Sequence, residues 1–257
     1  VKYNSEGSII WEKKFGGSSI DNFNDVIEVE ENGQNYYVVS GSTSSTDNDI
    51  NRPIDENNRT DNRLVLLKYD ANGNIVNKKI FSDDYASIYN IIKINDGYIA
   101  VGDYSKYKDE GEIYSHSINK DLETLTYNYG LIMKLDEQFN VEWSNLFGGS
   151  NVDLFYDIVE TDSNYIVVGE SSSVDGDMAD ISKGNLAWIN DAIVVSYDKD
   201  GNLVDKKAFG TSGNDRFKNI VKVEDGYITI GYSTETDIDL NGSSNAGAIV
   251  VKYDNAL

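Results

Sequence analysis

Three segments of the chain carry the residues best suited to chemistry: 41–50 (GSTSSTDNDI), 169–178 (GESSSVDGDM) and 231–240 (GYSTETDIDL). Each places aspartates six and eight positions after its first glycine, giving the pairs Asp47/Asp49, Asp175/Asp177 and Asp237/Asp239. A further oxygen donor follows each pair, at Asn51, Asp180 and Asn241. Calcium takes about six to eight oxygen ligands at about 2.3–2.6 Å, and an Asp-x-Asp-x-Asn/Asp loop curls to supply several from one short segment. These nine residues are therefore candidate calcium ligands. Magnesium, which prefers a few carboxylates plus waters in a small octahedral shell, suits them less well. The same residue types also form Asx-turns and cap loop amides, and the spacing alone leaves both roles open. The run Asp237-Ile238-Asp239-Leu240-Asn241-Gly242 opens like an EF-hand loop, but Ala248 stands where the bidentate glutamate would be, which excludes that motif.

A second acidic set, Asp70-Ala71-Asn72-Gly73 and Asp198-Lys199-Asp200-Gly201, falls between two strand-like runs, where a hairpin turn is required. Asp21, Asp153 and Asp215 recur once per unit and are expected to cap loops. Tyr104, Tyr107, Tyr114, Tyr127 and Tyr129 concentrate around a long connector, 105–130, together with the only histidine, His116. Rigid amphipathic rings suit a recognition surface for sugars or protein, or else an inserted hairpin that covers one unit and buries them. No nucleophile, partner acid or oxyanion motif accompanies His116, so a catalytic base is not expected there. The stretch 180–190 with Trp188 is a second candidate surface. No unit departs from the others by a visible convergence of carboxylates, or of His, Tyr and Arg, so no chemistry of its own is expected for the chain.

The elements that position these residues repeat. Phe15, Phe81, Phe147 and Phe209, each ending a short apolar run, are spaced 66, 66 and 62 apart. From three of them, an Asp follows at +6 (Asp21, Asp153, Asp215) and a Phe at +8 (Phe23, Phe155, Phe217). A fixed period of this size marks a repeat protein. Within a unit the apolar pattern is short and period-two, punctuated by Asn-Gly and Asp-Gly turns, as in 64–69, 74–81, 89–94 and 98–102. No sustained 3.6-residue stripe occurs, so little helix is expected. Four antiparallel strands per unit of about 60 residues is the pattern of β-propeller blades; a β-solenoid would need parallel stacking rather than hairpins. Gly41, Gly102, Gly169 and Gly231 end the fourth strands, where a bend or close backbone approach is expected. The repeats divide the chain into units of about 1–62, 63–129, 130–190 and 191–246. The strand-like end, 247–257, is expected to pair with the N-terminal blade and close one four-bladed domain spanning 1–257. Trp11 and Trp143 share one repeat position and are expected in the core.

Composition narrows the function classes. The 257 residues include 44 Asp plus Glu against 22 Lys plus Arg, a formal charge of −22, which repels phosphate backbones and excludes a nucleic-acid role. With no cysteine there is no disulfide framework, thiolate nucleophile or zinc ribbon. The longest apolar runs are strand-sized, far short of the roughly 20 residues of a membrane-spanning helix.

Over its full length the sequence resembles the propeller repeats of bacterial secreted or surface-attached proteins. The resemblance rests on Lys252-Tyr253-Asp254, Gly73-Asn74, Trp11 and Trp143, Phe15-Gly16-Gly17, Phe147-Gly148-Gly149 and Asp175-Gly176-Asp177. The second unit departs, with Asn77 for the Trp and Phe81-Ser82-Asp83 for Phe-Gly-Gly; the fourth has Asp205 and Phe209-Gly210-Thr211. The Asp loops are also similar to the calcium loops of integrin-alpha-type propellers. These resemblances imply an exported or cell-surface, non-catalytic binding or scaffold module for adhesion or protein interaction, with calcium as its one cofactor. The ligand would be protein or, in a carbohydrate-binding propeller, glycan. A polysaccharide lyase or hydrolase would need a convergent site that the repeats do not show.

Overall fold

The computed structural model describes residues 1–51, 62–81, 85–105, 128–183, 188–235, 237, 239–240 and 247–254. These are all-β: 17 strands in antiparallel sheets, with one 3₁₀ turn at Gly176–Met178. They form two compact units, Val1–Ile88 and Tyr89–Leu257.

In the first unit β1 (Lys2–Tyr3) pairs with β2 (Ile9–Trp11), and β3 (Asp21–Glu31), β4 (Gln34–Thr43), β5 (Arg63–Tyr69) and β6 (Ile75–Ile80) form a four-stranded meander. The division between the units falls within β7 (Tyr85–Ile94), the edge of the next meander with β8 (Gly97–Ser105), β9 (Asn128–Leu135) and β10 (Val141–Phe147). A third meander comprises β11 (Asp153–Glu160), β12 (Asn164–Ser171), β13 (Asp191–Asp198) and β14 (Leu203–Phe209); β15 (Asp215–Val223), β16 (Gly226–Ser233) and β17 (Gly247–Tyr253) make a three-stranded sheet.

The Asp turns form as the sequence requires. Asp70 Oδ1 accepts from the amides of Asn72 and Asn74, and Asp198 Oδ1 from those of Asp200 and Asn202. Asp136 holds a third such turn between β9 and β10. Its fourth residue is Phe139 at φ 65 where the other two have glycine, and the ring is fully buried against Tyr98. The turn glycines serve a second purpose. Gly201 lies under the Trp143 ring and Gly73 under Trp11, so closely that a Cβ would strike the indole, and Trp11 Nε1 donates to Ala71 O. The two tryptophans are therefore half-buried clamps on the turn of another sheet, and Trp143 also packs against the core cluster around Phe155.

Strands that read as period-two are in part buried on both faces. In β13, Ile193 and Val195 pack in a cluster with Ile99, Val101, Ile132 and Phe155, while Ala192 and Val194 pack with Phe217, Ile220 and Ile249. Both faces of the third meander are thus covered by the sheets before and after it, the arrangement that makes a strand apolar throughout.

The grouping of strands differs from expectation. Each four-stranded sheet starts at the strand after the Phe-Gly-Gly position, so the sheets span 21–80, 85–147 and 153–209, out of phase with the sequence units. The ladder partner of β17 is β16, with Tyr227 opposite Tyr253 as Tyr165 is opposite Tyr197, whereas β1 pairs with β2. Gly247–Tyr253 matches β16 as β13 matches β12, which makes it the third strand of its own sheet.

Candidate functional site

The repeated acidic residues build the same small cage three times. In the first, the amides of Gly16, Gly17 and Ser18 donate to Asp49 Oδ2 (3.1 Å), Asp21 Oδ2 (2.8 Å) and Asp47 Oδ1 (2.8 Å). In the second, Gly148, Gly149 and Ser150 donate to Asp177 Oδ2 (2.8 Å), Asp153 Oδ2 (2.9 Å) and Asp175 Oδ1 (2.7 Å). In the third, Gly210, Thr211 and Ser212 donate to Asp239 Oδ2 (3.0 Å), Asp215 Oδ2 (2.6 Å) and Asp237 Oδ1 (2.7 Å). Buried Asp153 also accepts from the hydroxyls of Ser171 and Ser173. The Ser18 and Ser212 amides hold the Asp47 and Asp237 carboxyls below the usual value of 3.8, as expected for hydrogen bonds that favour the charged form. Burial moves Asp215 the other way.

These contacts explain the Phe-Gly-Gly motif. Gly16 and Gly148 have φ +146 and +142, and a Cβ on either would overlap the carboxyl of Asp21 or Asp153; one on Gly17 or Gly149 would overlap Asp47 or Asp175. Of the further predicted metal ligands, Asp180 is exposed and pairs with Lys206 at 2.6 Å, and Asn51 is exposed with φ 44; Asn241 lies outside the described residues. Lys206 Nζ also donates to Asp177 O, as Lys78 Nζ does to Asp49 O. Among the described residues no three His, Asp or Glu side chains gather as a metal would need. The aspartates aim at loop amides, which is a loop-capping geometry.

The tyrosine surface is corrected in part. Tyr104 and Tyr129 are directly opposed across β8 and β9 and both are buried, the Tyr129 hydroxyl being pushed up to about 12 by that burial. They pack because Tyr104 and Tyr129 are still strand residues, ahead of and behind the connector. Tyr107, Tyr114, His116 and Tyr127 lie outside the described residues. Trp188 is exposed.

A different constellation, absent from the sequence reading, occupies the second unit. Each first strand carries a β-bulge one residue after its Phe, between Phe23 and Asp25, Phe155 and Asp157, and Phe217 and Asn219. Opposite it stands the predicted glycine: a Cβ on Gly41, Gly169 or Gly231 would collide with the carbonyl of Asn22, Leu154 or Arg216. A bulge re-aims one side chain. The bulge residues of the second unit are Tyr156 and Lys218, and Tyr89 stands at the matching position of β7. The residue after the glycine is Asp103, Glu170 or Tyr232.

These residues meet. The Tyr89 and Tyr156 rings lie 5.6 Å apart, and Lys218 Nζ sits 3.3 Å from the centre of the Tyr156 ring. Tyr156 OH donates to Glu170 Oε1 at 2.5 Å, while Glu170 Oε2 accepts from Asn190 Nδ2 at 2.9 Å and forms an ion pair with Arg216, whose Nε lies 2.7 Å away. Arg216 in turn covers the Tyr232 ring at 4.8 Å. Asp103 Oδ2 accepts from Asn128 Nδ2 at 3.0 Å, and the Tyr89 hydroxyl stands near its carboxyl. Glu170 and Asp103 are buried, whereas Tyr89, Tyr156, Arg216, Lys218 and Tyr232 are half-buried and reach solvent. Burial pushes Asp103 up to about 6, against the Tyr89 hydroxyl, which lowers it. Burial and the neighbouring Arg216 push Lys218 below the usual lysine value. Chemically the site offers tyrosine faces for stacking, fixed carboxylate acceptors and two cations. The expectation that no unit departs from the repeat by a converging Tyr, Arg and carboxylate set is therefore corrected. The residues lie up to 143 positions apart in sequence (Tyr89 to Tyr232) and converge through the common bulge register.

No family model matches the chain, and no curated protein matches it. Among solved structures it is similar to an alpha-L-arabinofuranosidase from Lactobacillus brevis, at 9% identity and TM-score 0.42, over 95% of this chain and 76% of that one. It is also similar to an ACO/RPE65 chimera, at 11% identity and TM-score 0.43, over 91% of this chain and 47% of that one. The chain therefore spans about half the length of the second of these. No helix among the described residues is long and apolar enough to cross a membrane.

Proposed function

We propose that this chain is a non-catalytic binding module of propeller type, displayed outside a bacterial cell, and that it binds carbohydrate through Tyr89, Asp103, Tyr156, Glu170, Arg216, Lys218 and Tyr232. The observation that carries this reading is the division of labour within the repeat. The side chains that recur in register, Asp21, Asp153, Asp215 and the Asp pairs, satisfy loop amides and hold the sheets' connections. The side chains that change from sheet to sheet stand at the bulge and beside its glycine, where they gather half-exposed rings next to buried acceptors. Aromatic faces with oriented polar groups recognise sugar rings, whose two sides are apolar and whose edges are hydroxyls. A protein-adhesion role was tied to the hairpin around His116, which lies outside the described residues, and has no comparable support. The test is a glycan array with wild type and Tyr156→Ala. Saccharide hits lost in the folded variant support the reading; hits that survive place the ligand elsewhere.

A second reading has one observation behind it. Asp103 is protonated up to about pH 6 and shares the cluster with Glu170, and two carboxyl groups are what glycoside hydrolysis uses. Against it, both oxygens of Glu170 are already held, by Tyr156, Asn190 and Arg216. Release of reducing sugar from an array-positive saccharide, absent in Asp103→Asn, would establish it.

A further inference from the structure

The cations of this cluster carry a more specific inference, which rests on the carbohydrate reading above. In a chain of charge −22, the buried or half-buried Lys68, Lys93, Lys134 and Lys199 are each matched by a carboxylate, at 2.5–3.0 Å. Half-buried Lys2 and Lys79 lie instead over the rings of Tyr37 and Phe81. Lys218 also lies over a ring, that of Tyr156, and its Nζ has no hydrogen-bond acceptor among the described residues; what sets it apart is a second cation beside it. Arg216, two residues earlier on β15, meets Glu170 through Nε and lies over the Tyr232 ring. Its terminal amino groups likewise have no acceptor among the described residues. The Glu170 carboxylate is engaged on both oxygens, by hydrogen bonds from Tyr156 and Asn190 and by the ion pair with Arg216. Two like charges thus stand side by side on one strand, half removed from water, with one anion between them. Such an arrangement is stable only at a cost that a second anion would relieve.

We propose that the site takes an acidic saccharide, a sugar ring bearing a carboxylate. The ring lies against the tyrosines, and the carboxylate is received by Lys218 and the terminal amino groups of Arg216. Arg216 suits this because Glu170 and Tyr232 fix its plane while one edge of the fork remains for a planar carboxylate. Burial of Lys218 and its repulsion by Arg216, which together hold it below the usual lysine value, act in the same direction.

The test is isothermal titration with a uronic-acid oligosaccharide, the matching neutral oligosaccharide and a sulfated one, on wild type, Lys218→Met and Lys218→Arg. Charge-assisted contacts with desolvated cations lead to an expected preference of about tenfold or more for the uronic-acid sugar over the neutral one. Lys218→Met should remove that preference while still binding the neutral sugar, and Lys218→Arg should keep it. Thermal melting checks that the variants fold; loss of an unpaired half-buried lysine should not lower the melting temperature. Equal affinity for uronic-acid and neutral sugars would overturn the proposal and leave the carbohydrate reading standing. Binding of the sulfated sugar alone would overturn the carboxylate assignment. No binding of any saccharide would overturn both.

Discussion

The substitution Asp103→Asn isolates the energetic cost of placing a carboxyl in this cluster. Asp103 is 7% exposed, and its carboxyl is raised from 3.8 to about 6, chiefly by burial. A carboxyl whose folded value lies above its unfolded one favours the native state when protonated. That stability is fully present below about pH 3.8 and is lost as the pH rises through about 6. At about 1.4 kcal/mol per pH unit, the ionised carboxyl costs the native state about 3 kcal/mol at pH 7.5. Asparagine has nearly the same shape, accepts from Asn128 through its oxygen, and carries no charge to desolvate. Asp103→Asn should therefore be more stable than wild type by about 3 kcal/mol at pH 7.5, or roughly 5–10 °C in melting temperature for a chain of this size. At pH 4 the difference should vanish. Melting curves by circular dichroism at the two pH values measure both. A variant destabilised equally at pH 4 and 7.5 would refute the reasoning, because it would mean that Asp103 is held as a paired anion. The cage aspartates have the opposite sign. Asp47 and Asp237 are held below 3.8 by loop amides, so their contribution is present above that value and lost as the pH falls beneath it.

Other outcomes follow from the cages and turns. Asp153→Ala removes three hydrogen bonds to a buried carboxyl and leaves two serine hydroxyls without that acceptor, while the Gly149 amide keeps Ser173 Oγ, so urea unfolding should show a loss of about 3 kcal/mol. Gly148→Ala, at φ +142 and against the Asp153 carboxyl, should cost about 2 kcal/mol or more by the same measurement. Phe139→Ala keeps the positive φ but empties a fully buried ring site beside Tyr98; a loss of about 3–5 kcal/mol is expected.

Much of the local structure is legible in the sequence because short-range chemistry decides it. Asp70 and Asp198 sit where a hairpin must turn, and their side chains reach the amides two and four residues on. The Phe-Gly-Gly and Asp-x-Asp motifs are legible as loops, and the glycines ending the fourth strands as close approaches. The grouping of strands into sheets is not, because a period has no origin: the same repeat can be cut at any strand, and only the ladder of β16 with β17 fixes where a sheet ends. Tyr104 and Tyr129 are misleading for a related reason. A tyrosine flanking a polar connector reads as exposed, whereas alternation along β8 and β9 turns both rings inward. The cluster around Glu170 is hidden because its members are ordinary residues at positions far apart. A signal for it does exist, however. Reading the residue after each +8 Phe and after each strand-ending Gly gives Asn24, Tyr156 and Lys218, and Ser42, Asp103, Glu170 and Tyr232. These positions vary inside an otherwise regular frame, and the bulge that re-aims them explains why variation there carries function rather than packing.

The most direct test of the carbohydrate site is the affinity of an array-positive saccharide for wild type and for Tyr89→Ala/Tyr156→Ala, measured by titration at a temperature where both are folded. Removing two stacking faces, each worth about 1–2 kcal/mol, should weaken binding by about 30-fold or more. Unchanged affinity in the folded double variant would contradict the assignment of the cluster as the binding site.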